Sequence, residues 1–187
     1  MEARTERQSV ALVRHRDGES SVLTGVTVHV ERQSGILLLK FVARGDIHRL
    51  ALPEPGEFQR AEELWRHTCF EAFVDGSRGE GYREFNLSSS NGWAAYAFSG
   101  YREGMRSVDG SPVRELNIER SASAIVVRTV LEIPYTDGDA LILGLSVVEE
   151  DTRGRKSYWA LAHMEDGPPD FHHPIAFDLS LFPVGPA

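Results

Sequence analysis

The chain has 187 residues, with 20 Lys and Arg against 28 Asp and Glu and a formal net charge of -8. This length suits one domain with its own core, and residues 1–187 are predicted to form a single domain. The acidic balance, without basic residues interleaved with aromatic ones, argues against a nucleic-acid partner.

The lone cysteine, Cys69, excludes an intrachain disulfide and a Cys-rich zinc site, and it indicates a reducing compartment. The opening stretch MEARTERQSVALVRHRDGES carries scattered charges and lacks the apolar segment of a signal peptide. The sequence contains no apolar run of about 18 residues that could cross a membrane. These features predict a cytoplasmic protein with no membrane partner.

Short β-rich segments follow one another between Gly, Asp and Pro residues. The first four predicted strands are Ser9–His15, Val22–Gln33, Gly35–Gly45 and His48–Pro53. One short amphipathic helix is predicted within Glu54–His67, because Pro55 favours a helix start and helical spacing relates Phe58, Ala61, Leu64 and Trp65.

Further predicted strands follow this helix: TCFEAFVDG, YREFNLSSS, WAAYAFSGY, RELNIER, AIVVRTVLEIPY, ALILGLSVVEED and SYWALAH. Many short strands separated by turn residues are typical of a sandwich or barrel. The sequence therefore predicts an all-β fold, an antiparallel β-sandwich with one short helix. No internal repeat or interdomain linker is evident.

Polar residues alternate with apolar ones on several of these strands. Because alternate residues of a strand point to opposite faces, strands that pair could bring their polar rows together on one face. The segment after the last strand could close over its end. The predicted ligand-binding residues are His67, Glu71, Glu84, Asn86, Trp93, Tyr96, Trp159, His163 and His172.

A water-exposed sheet face would also account for Glu84 and Asn86, and an ordinary core would account for Trp93 and Trp159. Aromatic residues beside a polar row favour a ligand cleft, since such clefts combine aromatic walls with a few polar groups. A half-buried Glu84 needs a partner, and the candidates are His67, His163 and Arg102.

Three stretches carry a resemblance to a known family: LWRHTCFEAFVDG, YREFNLSSSNGWAAYAFSGYREGM and YWALAHMEDGPPDFHH. Together they resemble the bacterial DOMON-like proteins, which are allied to the family 9 carbohydrate-binding modules and to the haem- or sugar-binding DOMON domains. The resemblance spans Leu64 to Phe177. It implies a β-sandwich that binds a small ligand, usually a carbohydrate, in a concave face or loop-rimmed cleft, without catalysis.

The resemblance also raises haem and calcium as cofactors. Haem would need Met105 with His163 or His172 as axial ligands, and no c-type attachment motif is present. Calcium would take its oxygen ligands from Asp75, Glu71 or Asp166, and no EF-hand spacing is present. The expected protein therefore carries no cofactor.

Two other function classes remain open. A zinc enzyme would draw its ligands from His163, Asp170, His172 and His173, without a His-Glu-x-x-His motif. A nucleophilic pair of Cys69 and His67 is disfavoured, because side chains two residues apart on a strand are ~7 Å apart. A structural or protein-interaction module would instead use an exposed edge or apolar patch.

Overall fold

A computed structural model describes residues 5–18, 21–76 and 81–184. Within these ranges the chain is almost entirely β, and helical structure is limited to 3-10 turns at Ile47–Arg49, Leu64–Arg66 and Pro174–Ala176. Among the described residues, helices are all too short to cross a membrane. The strands are β1 (Glu6–Arg14), β2 (Leu23–Gln33), β3 (Ile36–Gly45), β4 (Gln59–Arg60), β5 (Cys69–Gly76), β6 (Tyr82–Ser88), β7 (Gly92–Phe98), β8 (Arg106–Ser107), β9 (Val113–Arg120), β10 (Ala124–Glu132), β11 (Leu141–Glu150), β12 (Lys156–Ala160) and β13 (Phe177–Leu181).

The strands form one continuous sheet in the order β4-β7-β6-β5-β11-β12-β1-β2-β3-β10-β9, with β13 beside β11 and β8 beside β7. Strand β1 joins the two halves: Glu6 to Leu12 pair with β2, and Val13 and Arg14 pair with β12. Strands β4 and β7 are parallel. All other pairs among the described strands are antiparallel.

The sheet curls so that its two halves enclose the main core. The first half holds β1, β2, β3, β10 and β9, and the second half holds the other strands. Phe41 of β3 meets Phe70 of β5 across the core, with ring centroids 5.6 Å apart. Alternate apolar residues of both halves, such as Val28, Leu87 and Val147, fill the space between them. The all-β prediction is confirmed, whereas the antiparallel sandwich is met only in part, because the sheet is continuous and mixed.

The predicted helix within Glu54–His67 is wrong. Gln59–Arg60 pairs with β7 instead, and the backbone N–H of Ala61 donates to the carbonyl of Trp93 at 2.9 Å. Glu63 then adopts a left-handed conformation (φ 58°), which no continuous helix tolerates. Hydrogen bonding to a sheet edge has overridden the apolar spacing, and only the turn at Leu64–Arg66 remains.

The predicted strand His48–Pro53 is also wrong, because a 3-10 turn occupies its start and only Leu50 bridges to Asp151. Strand β13 (Phe177–Leu181) was not predicted. It pairs with β11 far along the chain, a partner that local pattern does not reveal.

Candidate functional site

The outer face of the second half carries the predicted polar row. Glu71 of β5 is paired with Asn86 of β6, and Phe73 with Glu84, so these four side chains share the face that points away from the main core. This face is partly covered, because a second apolar cluster packs on it. Its members are Phe73, Tyr82, Ala94, Tyr96 and Phe98, with Leu64, Trp65, Phe171 and Phe177 packed against them.

A cleft of about 420 Å³ lies between this face and the segments that cover it. Ligand sites for small molecules occupy about 300–1,000 Å³ and combine aromatic walls with a few polar groups. This cleft has that composition, with two carboxyl groups among its aromatic side chains. It is lined by Trp65, Glu71, Phe73, Glu84, Phe98, Arg102, Met105, Val148, Tyr158, Pro169, Phe171 and His172.

Glu84 is 5% exposed and lines the cleft. The amide nitrogen of Asn86, which is itself fully buried, donates to Oε1 of Glu84 at 2.7 Å. Burial raises the pKa of Glu84 to about 7, and the bond from Asn86 and the charge of Arg102 oppose that rise. Asn86 therefore positions the carboxyl group from behind.

Glu71 lies beside it and is 2% exposed. The hydroxyl of Ser146 donates to Oε2 of Glu71 at 2.9 Å. Burial and the neighbouring charge of Glu84 raise the pKa of Glu71 to about 8, against the lowering effect of the Ser146 bond. At pH 7 the two carboxyl groups therefore hold protons that ordinary surface glutamates would have lost.

His172 stands at the edge of the same cleft. Its Nδ1 is 2.7 Å from the hydroxyl of Tyr82, and its Nε2 is 3.8 Å from Oε2 of Glu84, which is too long for a hydrogen bond. Burial and the charge of Arg102 lower the pKa of His172 to about 4. The ring is therefore neutral at pH 7 and brings no positive charge to Glu84.

Arg102 reaches the cleft from the loop after β7 (Gly92–Phe98), but its charge is already paired. Its Nη2 is 2.7 Å from Oδ1 of Asp170, and the hydroxyl of Tyr101 donates to Oδ2 of the same carboxylate. This network ties the loop to the covering segment that carries Phe171 and His172. Arg102 is the predicted partner that does act on Glu84, although only through its field.

Among the predicted ligand-binding residues, Glu71, Glu84 and His172 line the cleft. Asn86 and Tyr96 lie on the same sheet face but beneath the cleft. Asn86 holds Glu84, and the hydroxyl of Tyr96 donates to Glu62. These two residues shape the site rather than line it.

The expectation that Trp93 and Trp159 flank Glu84 is wrong. Glu84 is paired with Tyr96, so Trp93, an odd number of residues away on β7, points into the main core. Trp159 also faces the main core, where its Nε1 donates to Glu149 at 2.9 Å. Strand alternation explains both placements, since neighbours along a strand face opposite ways.

The two other predicted histidines lie away from the cleft lining. His67 is exposed, with Nδ1 2.7 Å from Oε2 of Glu150. His163 has Nε2 at 2.9 Å from the carbonyl oxygen of Val13. The expectation that either could partner Glu84 is therefore wrong.

Sequence reasoning missed the aromatic walls: Trp65, Phe73, Phe98, Tyr158 and Phe171. Phe73 could have been found, because it shares the strand face of Glu71, which alternation opposes to the core. Phe171 lies in the quoted motif PDFHH, but its approach to the sheet depends on the path of the covering segment.

Within the described ranges, no three His, Cys, Asp or Glu side chains are grouped so as to hold a metal ion. The proposed zinc ligands are engaged separately: His173 Nδ1 accepts from the backbone N–H of Ile175, and Asp170 pairs with Arg102. Burial raises the pKa of the Cys69 thiol, which disfavours a nucleophile. The expectations on haem and calcium stay predictions.

A larger groove of about 770 Å³ lies on the outer face of the first half. Its charged side chains include Arg7 in an ion pair with Glu31 and Arg128 in an ion pair with Glu119. Exposed pairs of this kind are typical of a solvated sheet face. The smaller cleft, with its buried carboxyl groups, is the candidate site.

Several solved structures have a fold similar to that of this chain. A candidate carbohydrate-binding protein of Bacteroides uniformis ATCC 8492 matches 92% of this chain and 83% of its own, with a TM-score of 0.68 and 14% identity. A family 9 carbohydrate-binding module of Caldicellulosiruptor kristjanssonii, solved with cellotriose, matches 81% of this chain and 72% of its own, with a TM-score of 0.51 and 9% identity.

The same kind of module from that organism, solved with glucose, matches 81% of this chain and 74% of its own, with a TM-score of 0.54 and 9% identity. No protein-family model matches the sequence, and no curated protein is significantly similar to it. The chain thus shares its fold with these carbohydrate-binding structures at a sequence identity that establishes fold alone.

Proposed function

We propose that the protein is a non-catalytic binding protein that holds a carbohydrate, or a similarly polar small molecule, in the cleft above Glu71 and Glu84. The observation that carries this proposal is the pair of buried carboxyl groups beneath an open, aromatic-walled cleft. On a sheet face that binds no ligand, carboxyl groups are normally exposed to water, where they carry no desolvation penalty. Here they are placed at the bottom of a cavity with room for a sugar ring.

The residue types suit a sugar. A carboxyl group that is partly protonated can both donate to and accept from hydroxyl groups. Aromatic side chains such as Trp65 and Phe171 provide apolar surfaces for the C–H faces of a sugar ring. The polar and apolar parts of the cleft thus match the two kinds of surface that a sugar presents.

The fold likeness supports the same proposal, because two of the similar structures hold cellotriose or glucose. The three resembling stretches support a bacterial DOMON-like protein of sandwich type as the finer assignment. The cytoplasmic location that the lone Cys69 predicts belongs to this proposal as well. A zinc enzyme gains no support, because no three of the described His, Cys, Asp or Glu side chains are grouped so as to hold a metal ion.

The test is calorimetric titration with glucose and cellotriose, followed in parallel by tryptophan fluorescence. Trp65 lines the cleft, whereas Trp93 and Trp159 are in the main core, so a fluorescence change on binding reports on Trp65. Trp65→Ala should weaken binding about 10-fold, the equivalent of about 1.4 kcal/mol.

Trp65→Phe serves as the matched control, since it keeps an aromatic face, and it should lose no more than about 3-fold. Thermal unfolding of both variants separates lost binding from lost folding. If wild type binds no sugar, or if the Ala variant binds as tightly as wild type, the proposed site is rejected.

A further inference from the structure

The charge balance of the cleft deepens the proposed function and depends on it. Two carboxyl groups line the cleft, and within the described ranges no Lys or Arg forms an ion pair with either of them. Glu71 receives one neutral donor, from Ser146, and Glu84 receives one, from Asn86. Buried carboxylates are usually paired with a cation, so this pair can become fully ionised only when a cation is brought beside it.

The titratable side chains named below supply no unpaired cation to the carboxyl pair. His172 faces Glu84 as a neutral ring, and Tyr82 shares its hydrogen with that ring. Cys69 lies on the same face and adds no cation. Arg102 is committed to Asp170 at 2.7 Å. Tyr96 is committed to Glu62. No described group beside the carboxyl pair is both cationic and unpaired.

The walls complete the chemistry. Trp65, Phe73, Phe98, Tyr158 and Phe171 surround the carboxyl pair with aromatic surfaces. Aromatic faces attract ammonium groups through their quadrupole, and the attraction grows where water is excluded. A neutral sugar would use these walls only as apolar surface, whereas a cation would also gain electrostatic attraction from the walls and from the carboxyl pair.

We propose that the ligand of this cleft carries a positively charged amine, and that an amino sugar is its chemical class. The ammonium group binds beside Glu71 and Glu84, and the aromatic walls cover the rest of the ring. The ligand supplies the cation that the protein leaves out.

Binding of a cationic ligand at this site should change the number of protons that the protein holds. Without ligand, the carboxyl pair retains protons at pH 7, because burial raises the pKa of both groups. A cation brought beside them favours the ionised form and lowers their pKa. Binding of an ammonium ligand therefore releases protons to the buffer, whereas a neutral sugar does not introduce that charge.

The experiment compares glucosamine with glucose and N-acetylglucosamine by calorimetry at pH 7. N-acetylglucosamine is the matched control ligand, because it keeps the nitrogen and removes its charge. Glucosamine should bind at least about 10-fold more tightly than the two neutral sugars. Its binding enthalpy should depend on the ionisation enthalpy of the buffer, in the direction of proton release.

Variants assign the effect to the carboxyl pair. Glu84→Gln and Glu71→Gln should each lower glucosamine affinity about 10-fold, a larger loss than that for glucose, and should reduce the proton release that accompanies glucosamine binding. Glu115→Gln is the control variant, since Glu115 is exposed on the outer face of the first half. If a Gln variant fails to fold, the buffer dependence of wild-type binding still decides the question.

The outcomes separate the two proposals. If glucose binds and glucosamine binds no more tightly, the amine is rejected while the carbohydrate site stands. If glucosamine binds tightly without proton release, the carboxyl pair is not its partner, and the inference is rejected. If none of the three sugars binds, the proposed function and this inference fail together.

Discussion

The molecule buries glutamates in two places, and the two places differ in the number of hydrogen-bond donors that surround the carboxyl group. In the main core, Glu149 accepts hydrogen bonds from the backbone N–H groups of Val22 and Leu23, the hydroxyl of Ser21 and Nε1 of Trp159. In the cleft, Glu71 and Glu84 are as deeply buried, but the described residues give each a single side-chain donor.

The difference shows how the surroundings of a buried carboxyl group indicate its role. Glu149 ties the Ser21–Leu23 segment and Trp159 to β11, and its oxygens are fully used within the fold. The cleft carboxyls keep unused acceptor capacity and border a cavity. Desolvation without enough donors is what raises their pKa, and it leaves them available to a ligand. Matched substitutions in the two regions test this difference.

Glu149→Gln should give the largest effect. The amide replaces one accepting oxygen with an NH₂ group that faces buried donors, and each unsatisfied buried donor costs about 1–3 kcal/mol. We expect a loss of about 3 kcal/mol in the free energy of unfolding, measured by urea denaturation. Glu115→Gln on the exposed surface should change it by less than about 0.5 kcal/mol. A loss below about 1 kcal/mol for Glu149→Gln would show that the core carboxylate is not structural.

Glu71→Gln should instead increase the free energy of unfolding at pH 8. A carboxyl group whose folded pKa exceeds its ordinary value of 4.5 binds protons more tightly in the folded state. Its stabilisation is therefore full below pH 4.5 and is lost as the pH rises towards the folded value of about 8. Wild type should lose at least about 2 kcal/mol between pH 5 and pH 8, given about 1.4 kcal/mol per pKa unit.

At pH 8 the Gln variant should be about 2 kcal/mol more stable than wild type, because its side chain never ionises. Glu84→Gln should show the same sign with a smaller gain, since the pKa of Glu84 rises only to about 7. Urea denaturation across this pH range measures both. A wild-type stability that increases steadily from pH 5 to pH 8 would contradict the assignment of raised pKa values to these groups.

Trp159→Phe should have a smaller effect, confined to stability. The substitution removes the indole N–H that Glu149 accepts, at a cost of about 1 kcal/mol. Glucose affinity should stay unchanged, because Trp159 faces the main core. Denaturation and calorimetry on the same sample test both statements. A loss of glucose affinity in this variant, with the fold intact, would place Trp159 in the site after all.

The last prediction is that the protein does not bind added haem. Of the proposed axial ligands, Met105 and His172 line the cleft, but Nε2 of His172, the ring nitrogen that Tyr82 leaves free, faces Oε2 of Glu84 at 3.8 Å, which leaves no room for a haem plane between them. His163 lies outside the cleft lining. Titration with haem, followed by absorbance, should give no sharp Soret band. A stoichiometric band that Met105→Ala abolishes would make the cleft a haem site.

The sequence alone determined the β class and the composition of single strand faces. The two-residue rhythm of β6 sets Glu84 and Asn86 opposite Phe85, and that of β5 sets Glu71 opposite Phe70; both separations hold in the structure. This works because alternation is a local property of extended backbone, independent of which strands become neighbours.

Only the tertiary structure decided what stands around those residues. Trp93 follows a turn, so the register of β6 and β7, rather than the rhythm of either strand, sets its face. Tyr158 and Trp159 are adjacent and both aromatic, so local pattern could not say which one faces the core. The closure of Trp65 and Phe171 over the sheet depends on contacts between distant parts of the chain, and those contacts turn a polar row into a cleft.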